Sequence, residues 1–177
     1  MSIDRDFAKI LGEMISCINV INNDLAELYI ELSHKVDSIH AFTLLRQMSV
    51  ELYHHVSLIE GILLLLSLKE YSMVSKEKCY EAMGFSGSIL KIIKGYVDSA
   101  NAISRDELYE IASELQRLHR ELYEEIYEGK VLILIKHAFR TGVFDRKHYG
   151  VVISVLEKVI KDHRDNQAIL MNLVKYR

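Results

Sequence analysis

The chain has no proline and no tryptophan in 177 residues, only eight glycines and only two cysteines. Without proline nothing interrupts helical hydrogen bonding from within, and with little glycine few turns can be built on positive φ. What remains is rich in Leu, Ile, Glu and Lys, a mixture that favours long unbroken helices. Cys17 and Cys79 have no metal-finger or redox spacing, so they read as separate, reduced, buried thiols of an intracellular protein. There is no excess of positive charge either. A formal net charge of −3 provides no general field for nucleic acid or an anionic membrane. The longest apolar run, residues 62–66, is too short to span a bilayer, and the first residues lack the apolar core of a signal peptide. No glycine-rich phosphate loop and no Gly-x-Ser-x-Gly is present. These absences point to a cytoplasmic protein with no nucleic-acid partner and no membrane.

Half of the residues are hydrophobic, and charge is interleaved throughout, as in a single folded domain spanning 1–177. Apolar positions at helical spacing predict a first helix over 4–36, carrying Phe7, Leu11, Met14, Ile18, Ile21, Leu25, Leu28 and Leu32. A parallel stripe holds Ile15, Asn22, Tyr29 and Val36. Asp37-Ser38 breaks the pattern, and a second helix follows over 39–71; so short a break makes the two antiparallel neighbours. Residues 72–104 are less regular. They read as a crossover of short helices, with Ser75 as a cap and a turn at Gly84-Phe85-Ser86-Gly87. Ser104 with Glu107 is a capping box that starts a third long helix over 104–140. Gly142 ends it as a left-handed cap. Asp145 caps a last helix that continues to Lys175.

Two of these helices carry polar groups where apolar ones are expected. Ala41, Leu45, Met48, Leu52, His55, Ile59, Ile62 and Leu66 form one stripe, with His55 its one titratable member and Glu51 on its flank. On the last helix Tyr149, Val152, Leu156, Val159, His163, Asn166, Leu170 and Leu173 form another. Burying such groups costs a few kcal/mol each, on the order of 2–7, unless they are bonded or bind something. Two frames compete on the second helix. Glu51-Leu52-Tyr53-His54 is a literal Glu-x-x-His, whereas the stripe turns His55 inward. His119, spaced with Leu115 and Leu122, reads as a histidine at the core's edge. His34, His40, His54, His137 and His148 read as solvated.

With four long helices, a crossover between the second and third, Tyr29, and the two polar-bearing stretches, the chain resembles the ferritin-like superfamily, in its rubrerythrin-like branch. The resemblance implies an all-α, antiparallel four-helix bundle with a long helical crossover insertion. It also implies a di-iron site fed by glutamates on the first and third helices and Glu-x-x-His on the second and fourth. This chain departs from that ligand set. Asn22 stands for the first-helix glutamate, His163 and Asn166 stand for the last-helix glutamate and histidine, and the third helix offers Glu128 or Lys130. So few carboxylates cannot neutralise two hard cations. The expectation is therefore a single divalent transition metal, iron or zinc, drawing on His55, His163, Glu51, Asn166 and Asn22, in a metal-binding or oxidoreductase role. The alternative is a metal-free bundle that works through protein contacts, as a homodimer or with a partner, using the apolar 131–135 segment or the helix near 88–102.

Overall fold

A computed structural model describes residues 2–82 and 87–175 of the chain. Among these the structure is all-helical, with no strand. Helix α1 spans Ser2–Ser33 and α2 spans Ile39–Leu65, with the Ser38 hydroxyl accepting from the Ala41 N–H at its start. Short helices α3 (Lys76–Ala82) and α4 (Gly87–Asp98) follow. Next come α5 (Arg105–Leu122), α6 (Leu132–Thr141) and α7 (Tyr149–Lys175). The turn expected at 84–87 lies outside the described residues, apart from Gly87 at the start of α4.

Helix α2 folds back along α1. Asn19 on α1 lies beside Val56, donating to its carbonyl at 3.5 Å, and Gly12, a further two turns toward the N-terminus, lies against Tyr71. Every residue of the predicted α2 stripe, from Ala41 to Leu66, is buried. On α1 the parallel pair Ile15 and Asn22 is buried together with Leu11, Ile18, Ile21 and Leu25. Helix α7 packs on both α2 and α5, while α3 and α4 pack on α1. Among the described residues α2 alone is long and apolar enough, by length and composition, to cross a membrane; 44 % of that window is buried within the fold.

The second helix ends at Leu65, not at the expected Tyr71. Ser67 takes φ +56°, and the Leu68 N–H reaches back to the Leu63 carbonyl at 2.8 Å, so the chain reverses and buries Leu68. Gly12 makes that approach possible. A Cβ there would lie 2.9 Å from Tyr71 Cβ and 3.4 Å from the Leu68 carbonyl oxygen.

A second correction concerns the two cysteines. They are not separate thiols: Cys17 and Cys79 are joined as a disulfide with Cα atoms 5.0 Å apart, a separation that suits the bond. The bond ties α3 to the middle of α1. Asp24 supports the same attachment, accepting from the Tyr80 hydroxyl and from Lys76 Nζ, both at 2.7 Å.

The third long helix is not continuous. Tyr123–Val131 is π-helical between α5 and α6. The spacing of buried residues shows why. Leu115, Leu118, Leu122 and Ile126 recur at three and four, but among the described side chains the next buried position after Ile126 is Val131, then Ile135. The wider i→i+5 turn absorbs that step and keeps both halves facing the core. Two local caps form as expected: Ser104 and Glu107 form the capping box, and Gly142 takes φ +81°. Asp145, expected to cap the last helix, instead caps a short 3-10 turn, Arg146–His148, that leads into α7, its carboxylate accepting from the Lys147 N–H at 3.0 Å.

Candidate functional site

The helical period on α2 decides which histidine enters the core. His55 is 1 % exposed while His54 lies outside. Asn22 on α1 is fully buried, as is Tyr29 two turns on. The π-helical turn brings a third element to the same place. Tyr123, at its first residue, donates through its hydroxyl to Asn22 Oδ1 at 3.3 Å. Its ring lies 6.5 Å from that of His55 and packs edge-on against His119 at 4.9 Å. His119 is 1 % exposed, so it belongs to the core itself and not to its edge.

The fourth contribution is Asp162 on α7. Its Oδ2 lies 3.6 Å from His55 Nε2 and its side chain is partly open to solvent; Lys158, one turn earlier, holds the same oxygen. Asp162 stands next to His163 in the sequence, yet it is the carboxylate that the fold sets beside His55. The side chains of His163 and Asn166 lie outside the described residues. Glu51 lies on the flank of α2, as its place beside the stripe implies, and there its Oε1 accepts from Gln47 Nε2 at 3.1 Å. Glu128, in the π-helical turn, pairs with Arg164 of α7. Of the residues singled out from the sequence, His55 and Asn22 thus meet in one buried cluster. Glu51 is held by Gln47 on the flank of α2. Tyr123, His119 and Asp162 join the cluster without having been singled out as ligands.

The electrostatics follow from burial. Desolvation, partly offset by Asp162, pushes the His55 imidazole down to about 4, so the ring is neutral at physiological pH. Burial works against charge on Asp162 as well, but Lys158 and His55 outweigh it and hold the carboxyl below its usual range. Burial also raises the Tyr29 phenol, which stays protonated. Among the described residues neither His55 ring nitrogen, nor Asn22 Nδ2, nor the Tyr29 hydroxyl has a hydrogen-bond partner. Buried polar atoms without partners are costly, so this cluster departs from ordinary core packing.

Chemically the cluster offers a neutral imidazole beside a carboxylate. Two donors bound to one zinc or iron ion at roughly 2.0–2.1 Å each stand about 3.4 Å apart in tetrahedral geometry. The 3.6 Å between His55 Nε2 and Asp162 Oδ2 is close to that figure and beyond a good hydrogen bond. One carboxylate and one imidazole suit a single ion. They do not suit two ions, which need several bridging carboxylates. Among the described residues no group of three or more His, Cys, Asp or Glu side chains converges on one point, so a complete ligand set would need donors beyond these. Compared with known protein families, curated proteins and solved structures, the chain matches none.

Proposed function

We propose that this protein is a ferritin-like antiparallel four-helix bundle that binds one divalent transition metal, iron or zinc, in its core next to His55, in a metal-handling or oxidoreductase role. On this reading α1, α2, the α5–α6 rod and α7 are the four long helices, and residues 72–104 form the crossover. The observation that carries the reading is the placement of Asp162 Oδ2 at 3.6 Å from the buried His55 Nε2, at ligand-to-ligand spacing. Neutral imidazole is the form that binds metal, and burial keeps His55 in that form. His163 and Asn166, on the same helix as Asp162, and Asn22 across from it remain the further donors proposed from the sequence.

The second reading is a metal-free bundle acting through protein contacts, as a homodimer or with another chain. Two bonds favour it: Glu51 is engaged by Gln47 and Asn22 Oδ1 by Tyr123, so two of the proposed donors already have protein partners. Elemental analysis of untagged protein, after iron(II) and zinc(II) have been offered separately, distinguishes the two. The metal reading expects about one ion per chain, lost in His55→Ala, Asp162→Asn and His163→Ala. Background metal in the unaltered protein under both conditions refutes it. The metal-free reading expects an oligomer by light scattering in that same sample.

A further inference from the structure

The junction of α6 and α7 holds an open groove of about 730 Å³, within the size range of small-molecule sites. Its floor is apolar and aromatic. Phe139 is buried and stands edge-on to both Phe144 and Tyr149, at 5.6 and 5.3 Å between ring centres, which holds the rings in place. Ile133 and Tyr149 lie on the surface at 58 % and 42 % exposure. Ile133 belongs to the all-apolar 131–135 run, whose other members turn wholly or partly inward. It is left out because the π-helical turn directs Val131 and Ile135 to the core.

The walls are cationic. Lys136, Arg140 and Arg146 line the groove, and among the described residues no acidic side chain does. Lys136 is ion-paired with Glu157 at 3.8 Å, a weak exposed contact. Arg140 donates to His137 Nδ1 at 3.1 Å; guanidinium only donates, so that bond leaves its charge uncompensated. The 27-residue helix α7 begins at Tyr149 and directs the positive end of its dipole into the same space. An apolar floor with walls of a single charge excludes most other occupants. A cation is repelled, a neutral hydrocarbon leaves the guanidinium groups unpaired, and a small inorganic anion leaves the rings uncovered.

We propose that this groove binds a small organic anion, a carboxylate or phosphate head on an aromatic or acyl body. The head sits between Arg140 and Arg146 and the body lies on Tyr149, Phe139 and Ile133. Bidentate guanidinium contacts fix the head, and the edge-to-face rings offer a flat apolar surface to the body. The site is separate from the His55 cluster: Asp162 is thirteen residues along α7 from Tyr149, about 20 Å by the rise of the helix.

The test uses the full chain and the fluorescent sulfonate 1-anilinonaphthalene-8-sulfonate as probe, displaced by 2-naphthoate or by its neutral isostere 2-naphthol. Saturable probe binding is expected, with naphthoate displacing it at least tenfold better than naphthol. Arg140→Ala/Arg146→Ala should weaken naphthoate about tenfold or more, the scale of a lost charged hydrogen bond. Both arginines are on the surface, and an unchanged melting temperature verifies that the variant folds. A Tyr149→Ala variant should weaken naphthoate while leaving the charge in place. Equal displacement by naphthol, or a double-arginine variant that binds as well as the native chain, overturns the proposal. So does arginine-dependent sedimentation with anionic vesicles in the absence of naphthoate binding, which would make the groove a membrane contact.

Discussion

Opening the Cys17–Cys79 bond is the perturbation whose size follows most directly from the fold. The two residues are 62 apart in sequence. Closing a loop of that length removes on the order of 14 cal/mol/K from the unfolded chain, or about 4 kcal/mol at 25 °C. The folded state should lose little. Both residues are at most 4 % exposed, so the thiols would stay packed where the sulfurs are, and the Asp24 contacts to Lys76 and Tyr80 would still hold α3 on α1. The cost therefore appears in global unfolding and not as a detached α3. For a chain of this length about 4 kcal/mol corresponds to a fall of about 10 °C in melting temperature. The assay is thermal and urea unfolding of the oxidised protein, the protein in reductant, and Cys17→Ala/Cys79→Ala. Mass spectrometry after alkylation counts free thiols in each sample. Reduced and verified-oxidised protein agreeing within about 1 kcal/mol would refute the loop-entropy reasoning. Two free thiols in protein prepared without reductant under oxidising conditions would refute the bond itself.

Three further outcomes are expected. Gly12→Ala should destabilise by about 1–2 kcal/mol because its Cβ meets Tyr71 Cβ. Gly61→Ala, with nothing within 4 Å, should stabilise by up to about 1 kcal/mol through helix propensity; urea unfolding giving the same sign at both sites would contradict the packing argument. The His55 value is depressed on folding, so the unfolded state binds a proton that the folded state refuses as pH falls from 6.5 toward about 4. Stability should be full above pH 6.5 and decline by about 3 kcal/mol across that window, with further loss below it as Asp162 is protonated. His55→Gln should remove most of the decline between pH 6.5 and 4, and a curve identical to the native one would refute the assignment. Tyr29→Phe removes a buried hydroxyl without a partner among the described residues. It should be neutral or stabilise by about 1 kcal/mol in thermal unfolding, and a loss above 1 kcal/mol would mean that the hydroxyl is bonded.

The features legible in the sequence are those set by neighbours within one or two turns. Ser104 with Glu107, Gly142 and Asp145 each act on backbone groups two to four residues away; the first two cap the helices the sequence assigns them, and Asp145 caps the 3-10 turn that leads into the last one. The inward turn of His55 and the outward turn of His54 follow from a period of 3.6 against seven apolar partners on one stripe. The same period already puts His119 in line with Leu115 and Leu122, so its full burial extends the stripe the sequence shows. Reading 104–140 as one regular helix fails further on, where the step from Ile126 to Val131 is a five-residue step.

Composition and periodicity by themselves determine that this chain is helical, where most of its helices start, and which face of each is apolar, because those depend on local backbone bonding and on a fixed turn angle. Only the tertiary structure decides which faces meet. It joins Cys17 to Cys79, seats Tyr71 on Gly12, sets Asp162 rather than Glu51 beside His55, and gathers Lys136, Arg140 and Arg146 over an aromatic floor. Each of these depends on the rotation and offset of one helix against another. That geometry is set by how all the side chains of the core pack together, so no single stretch of sequence encodes it.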